Sequence, residues 1–155
     1  MQIRRYQPQD FETVKSLHYA GVEQIDPDPE RPDNPFTDAD MDDIEGAYIK
    51  NNGDFIIGTI EDEIIAIGAI SKYSQTCGEI KRIRIRRDYQ GQGYGEKMLA
   101  ALIERARELG YSELCMDTLA DNLPAQNLYE KAGFTKTGRG EIGTYDLVFY
   151  SKKLL

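Results

Sequence analysis

Hydrophobic and polar positions follow two periods along this chain, and the switches between them mark out its elements. Gln2 to Tyr6 reads as a strand, and from Asp10 the residues Phe11, Val14, Leu17 and Ala20 fall at helical spacing. A second helix, carrying Met41, Ile44, Tyr48 and Ile49, is predicted behind a cap at Asp38 or Asp40. Phe55 to Ile60 and Ile64 to Ile70 are apolar runs around the polar turn Glu61-Asp62-Glu63, which predicts an antiparallel hairpin. The third strand, about Glu79 to Ile85, breaks its own period. Ile80 and Ile83 are an odd number of residues apart whereas Ile83 and Ile85 keep period two, so a β-bulge near Lys81 and Arg82 and an irregular edge strand fit equally well.

Tyr94, Met98, Leu99, Leu102, Ile103, Ala106 and Leu109 then form one face of a helix closed by Gly110. Leu114 to Thr118 is the next strand. Pro124 opens a short helix with Leu128, Tyr129 and Ala132, ended by Gly133, and Phe134 and the run Leu147 to Tyr150 supply terminal strands. With no repeat or linker in sight, the order predicts an α/β fold, a mixed α+β sheet covered by helices on both faces, as a single domain over residues 1–155.

Charge changes this picture in one place. The chain carries a net charge of -8, yet Glu23 to Glu45 holds ten carboxylates against the single cation Arg31, and the remainder is close to neutral. Pro27, Pro29, Pro32 and Pro35 crowd the same segment, which predicts a loop. A basic footprint for nucleic acid is absent. Cys77 and Cys115 form no C-x-x-C pair and lie in strand-like stretches, which favours a reduced, cytoplasmic chain over a disulfide framework. The N-terminus lacks the apolar run of a signal peptide, and the longest apolar stretch, Ile64 to Ile70, is too short to span a bilayer. The expectation is therefore a cytoplasmic protein with neither a membrane nor a nucleic-acid partner.

Candidate chemistry centres on Gln90-Gly91-Gln92-Gly93-Tyr94-Gly95, a glycine-rich turn between a strand and a helix start. Backbone amides at such a turn, aided by a helix dipole of about 0.3–1 kcal/mol, suit a phosphate. Position 96 is Glu96, not the third glycine of a dinucleotide fingerprint, and no Gly-Lys-Ser/Thr end is present for a Walker A loop. On the loop alone, a turn that merely ends a strand fits as well.

The neighbouring residues extend the pattern. Glu79-Ile80-Lys81-Arg82-Ile83-Arg84-Ile85, then Gln90-x-x-Gly93-x-Gly95, then Asn122-x-x-Ala125 and Leu128-Tyr129-Glu130-Lys131-Ala132-Gly133-Phe134 resemble the GNAT family of N-acetyltransferases. The resemblance implies about seven strands and four helices, with a splayed central strand pair between the third strand and Leu114 to Thr118. It implies acetyl-CoA as co-substrate, with backbone groups of Ile83 and Ile85 along the pantetheine. Gln90, Gly91, Gln92, Gly93, Tyr94, Gly95 and Glu96 would lie around the pyrophosphate, and Asn122 would bond the pantetheine amides or cap the following helix. Homodimers are common among such chains.

Moving an acyl group from a thioester to a primary amine needs a base for the ammonium, a donor to the carbonyl oxygen and a proton for the leaving sulfur. Matched to the family's pattern, Glu79 is the base, acting directly or through water, the amide of Ile83 is the oxyanion donor, and Tyr129 is the acid. Read without the family, Glu79 is a solvated strand carboxylate beside Lys81 and Arg82, and Tyr129 is a packing residue. His18 has no ligand-spaced partner, so no metal site is expected. The basic run Lys81, Arg82, Arg84, Arg86 and Arg87 could help neutralise coenzyme phosphates, but a charge run is usually a solvated face and these residues are not placed in the site. The acidic segment would favour a small cationic acceptor, or a basic peptide terminus. The competing class is a non-catalytic acyl-CoA-binding sensor or regulatory module, for which retention of both Glu79 and Tyr129 has no purpose.

Overall fold

Strand periodicity and helix faces combine in a seven-stranded sheet in the order β1-β2-β3-β4-β5-β7-β6, in a computed structural model that describes residues 1–25 and 38–154. The strands are β1 (Gln2–Arg5), β2 (Asp54–Ile60), β3 (Glu63–Lys72), β4 (Cys77–Ile85), β5 (Glu113–Leu119), β6 (Thr135–Ile142) and β7 (Tyr145–Lys153). The helices are α1 (Phe11–Ile25), α2 (Tyr94–Glu108) and α3 (Leu123–Lys131). All neighbours run antiparallel except β4 and β5. The fourth helix expected around Met41 to Ile49 is a 3-10 turn, Ala39–Asp42, followed by a π-helical turn, Glu45–Ile49. The expected Pro-rich loop falls on residues 26–37, outside the described residues.

Two apolar layers cover the two faces of the sheet. On one side Val14 and Leu17 of α1, with Met41, Ile44 and Tyr48, pack on Phe55, Ile57, Ile67 and Ala69. On the other, Met98, Leu99, Leu102, Ile103 and Ala106 of α2 and Tyr129 of α3 pack on Ile56, Ala66, Ile70, Ile80, Met116 and Tyr150. This second layer is the larger because α2 presents an unbroken apolar stripe.

The parity break in β4 is a bulge. Ile67 pairs with Arg84 and Ala69 with Lys81, so Gly68 alone faces Arg82 and Ile83, and Arg82 adopts φ 61°. β4 and β5 pair only through Cys77–Glu113, Gly78–Leu114 and Glu79–Cys115. Beyond Glu79 the strands separate, which opens the fold at its centre.

Candidate functional site

The opening between β4 and β5 is a cleft of about 320 Å³ that passes through the sheet. Ile25, Lys81, Arg82 and Arg84 line it towards α1; Gly95, Ala125, Leu128 and Tyr129 line it towards α2 and α3. Glu79, Ile83, Ile85, Met116, Asp117 and Asn122 are also among its walls. Of the residues expected at a site, Glu79, Ile83, Ile85, Gly95, Asn122 and Tyr129 are thus brought together in one cavity. Because the separated halves of β4 and β5 leave ladder groups unpaired, an extended ligand can add itself to the strand edge.

Gln90, Gly91, Gln92, Gly93, Tyr94 and Glu96 form the turn beside this cavity rather than its lining. Gly91 at φ 73° and Gly93 at φ 86° take a conformation other residues resist, and nothing lies within 4 Å of where a Cβ would stand on either. Gly93 caps α2 with no side-chain hydrogen bond, so the first amides of the helix remain free for an anion. Side chains brace the turn from below. The Gln90 amide donates to the Ile85 carbonyl at 3.0 Å and Gln92 to the Asp88 carbonyl at 3.3 Å, while Tyr94 packs edge-on against Tyr89 and Glu96 pairs with Lys131. Open amides, a helix N-terminus and an empty approach fit a coenzyme pyrophosphate.

Asn122 caps α3 by accepting from the Ala125 amide at 3.3 Å, the local role that its position ahead of Leu123–Lys131 allowed. Tyr129 is held by edge contacts to Tyr150 and a tilted contact to Phe134, and its hydroxyl bonds no described residue. Burial pushes its pKa up to about 12, against a smaller opposing pull from Arg84. It therefore keeps its proton at any ordinary pH.

Glu79 stands where the paired part of β4 ends. Its carboxyl titrates above the usual range, first through desolvation and then through Asp117, despite Lys81 at 3.8 Å. Desolvation also raises the Asp117 carboxyl, whose side chain still reaches solvent. Raised carboxyls in a cleft are suited to accepting protons near neutral pH. Glu79, Met116 and Asp117 are shared with a second hollow of about 570 Å³ on the α1 face, lined also by Tyr73, Cys77, Cys115 and Phe149. The two hollows meet at a pair of carboxylates.

Two expectations about charge change. The basic run does not form one solvated face: Lys81, Arg82 and Arg84 line the cleft, and only Arg86 and Arg87 lie outside its walls. The bulge turns these residues inward, which strand periodicity alone did not reveal. Three described carboxylates of the acidic segment, Asp38, Asp40 and Asp42, are committed to cationic partners. Asp40 accepts from Arg82 at 2.7 and 2.9 Å and from the Tyr48 hydroxyl; Asp38 meets His18 at 3.1 Å and Arg82 at 3.2 Å; Asp42 pairs with Lys15. Asp26, Asp28, Glu30 and Asp33 lie outside the described residues. Asp117 was missed because one carboxylate in a strand carries no signal until β4 and β5 are seen to part beside it. No group of three or more metal-binding side chains occurs among the described residues, and none of their helices is long and apolar enough to cross a membrane.

Comparison with known proteins accounts for this combination of splayed strands and open turn. A family model described as "Acetyltransferase (GNAT) family" matches residues 19–134, and the chain belongs to this family. The fold is shared with a ribosomal-protein-alanine N-acetyltransferase from Brucella melitensis (TM-score 0.81, 20% identity, 99% of this chain and 100% of that one). It is shared equally with yncA from Salmonella typhimurium, solved with its cofactor acetyl-CoA (TM-score 0.81, 18% identity, 99% and 93%). Among curated relatives, human N-acetyltransferase 8B is 32% identical over 107 residues, 64% of this chain and 47% of that protein. The chain spans about half the length of the first curated relatives it matches.

Proposed function

We propose that this protein is an acetyl-CoA-dependent N-acetyltransferase that moves the acetyl group directly to a primary amine. The observation that carries the reading is the meeting of the two hollows at Glu79 and Asp117, with Tyr129 on the opposite side of the same cleft. Donor and acceptor can then approach one point from opposite faces of the sheet. Acetyl-CoA, when bound, supplies a thioester whose carbonyl carbon gains a bond to the amine nitrogen as its bond to sulfur breaks.

Each protein group has a task in that exchange. The edge of β4 at Ile83 and Ile85, which β5 does not pair with, receives the pantetheine as an added strand, with Asn122 on the facing wall; residues 90–96 hold the pyrophosphate through backbone amides. The Ile83 amide donates to the carbonyl oxygen as negative charge develops there. Glu79, directly or through water and with Asp117 beside it, takes a proton from the ammonium. Of the two protons the nitrogen loses, one goes to solvent through these carboxylates and one balances the proton the sulfur receives from Tyr129. The raised Glu79 carboxyl holds that proton more firmly than an ordinary glutamate, and the raised Tyr129 stays protonated until it is needed.

Acceptor choice follows the charges that remain available. Asp38, Asp40 and Asp42 are already paired, so attraction of an ammonium rests on Glu79 and Asp117 more than on those three carboxylates. The test is release of thiol from acetyl-CoA across a panel of primary amines, beside calorimetric binding of coenzyme A. Release that requires Glu79 supports a transferase. Binding without release on any amine would replace it with an acyl-CoA-binding module, and no binding at all would remove both.

A further inference from the structure

Arg84 differs from the other cations of the cleft. Lys81 has Glu79, and Arg82 has Asp38 and Asp40, but no residue among those described hydrogen-bonds or ion-pairs with Arg84. Its Nε is sealed from solvent with no partner. Burial, and then the charge on Arg82, push its pKa down, yet a guanidinium stays charged at ordinary pH. A buried charge with no hydrogen-bonded counter-charge is costly, even with Asp38 acting from a distance, and an unsatisfied buried polar atom in a native fold calls for an explanation.

Two features of the backbone put it there. In a regular strand, residues five apart point to opposite faces. The bulge at Arg82 restores parity, so Glu79 lies opposite Ser71 and Arg84 opposite Ile67, on the α1 face with Ala69 and Lys81. On the facing helix, a Cβ at Gly21 would lie 2.5 Å from Arg84 Cδ and 2.8 Å from its Nε. Glycine inside a helix is a poor helix former, and here its lack of a side chain makes the space that Arg84 occupies.

We infer that Arg84 receives a carboxylate of the acceptor, so that the substrate is a small amine of the amino-acid class, its nitrogen towards Glu79 and its carboxylate on the guanidinium. This rests on the acetyl-transfer reading. A planar guanidinium matches a carboxylate with two parallel hydrogen bonds, a fit no ammonium partner offers. Glu79, Ile83 and Arg84 line one cleft, so an acceptor carrying both an amine and a carboxylate meets a partner for each there, and its side chain has the hollow at Tyr73 and Phe149 to enter.

The test compares L-amino acids with their carboxamides and with matched carboxylate-free amines, for the wild type, Arg84→Gln, Arg84→Lys and Gly21→Ala. The wild type should favour the carboxylate-bearing acceptor by about 100-fold in kcat/KM. Arg84→Gln should lose that preference with an unchanged KM for acetyl-CoA, Arg84→Lys should keep part of it, and Gly21→Ala should weaken it while Tm holds or rises. Equal use of acids and amides by the wild type overturns the inference. So does an Arg84→Gln defect confined to the KM for acetyl-CoA, which would assign the guanidinium to the coenzyme. Calorimetry on the protein saturated with coenzyme A separates this inference from its premise. Amino-acid binding that needs both the carboxylate and Arg84, with no turnover, keeps the site and removes the transferase; turnover indifferent to the carboxylate does the reverse.

Discussion

On its α2–α3 side the cleft's polar groups, Tyr129 and Asn122 apart, are backbone, and on its α1 side they are charged side chains. Open amides at Gly91 to Glu96, the edge at Ile83 and Ile85 that β5 does not pair with and the capped start of α3 serve the first; Glu79, Lys81, Arg82, Arg84 and Asp117 serve the second. Backbone sites need glycines and helix starts at set spacings. Side-chain sites need only that distant residues meet. A shared coenzyme suits the first construction and an individual acceptor the second.

The contrast can be broken at several points. The largest effect is expected for Glu79→Gln, which should lower kcat by about 100- to 1,000-fold and abolish the acid limb of the rate profile. In the wild type that limb should have its midpoint above the ordinary glutamate value of about 4.3, since activity requires the carboxylate and desolvation raises its pKa. The sign for stability is opposite. A carboxyl whose pKa is raised by folding binds its proton better in the folded state, so ionised Glu79 destabilises the fold above that pKa and Glu79→Gln should hold or raise Tm at pH 7. Activity and stability moving apart would mark a site residue; loss of both would mark a structural one.

Asp40→Asn should cost about 2 kcal/mol in chemical denaturation, because Arg82, in a partly buried setting, would lose the carboxylate to which it donates two hydrogen bonds. Tyr129→Phe should lower kcat by about 10- to 100-fold with coenzyme A affinity intact by calorimetry, and the wild-type profile should show no Tyr129 basic limb below about pH 11. Gly93→Ala, which must hold φ 86°, should cost about 1–2 kcal/mol of stability and weaken coenzyme binding without altering acceptor preference. Smallest of all, Asp42→Asn, at an exposed pair with Lys15, should leave turnover within about twofold.

The same contrast explains what was legible in the sequence. Every strand had a counterpart in the pattern of apolar residues, although β6, Thr135–Ile142, reached it only through Phe134: with Thr, Lys, Gly, Arg and Glu ahead of a single Ile142, it is too polar to show a period. The turn at Gln90 to Gly95 was legible because glycine is demanded by backbone angle. The helix around Met41 to Ile49 was visible as an apolar stripe, but not its division into 3-10 and π turns beside the anchoring of Asp38 and Asp40 on Arg82. Arg84 looked like one member of a solvated run, because its burial depends on a bulge and on Gly21 sixty-three residues earlier in the chain. Asp117 gave no signal by itself.

A bound structure would describe the coenzyme side, but the claim that both sides act together is a claim about transfer. Its most direct measurement is acetyl-CoA-dependent formation of N-acetylated product from a panel of primary amines, followed by mass, with wild-type protein and Glu79→Gln at equal coenzyme A occupancy. Product from the wild type and about 100-fold less from the variant is the result expected. Coenzyme A bound equally by both, with no acetylated amine from either, would contradict it.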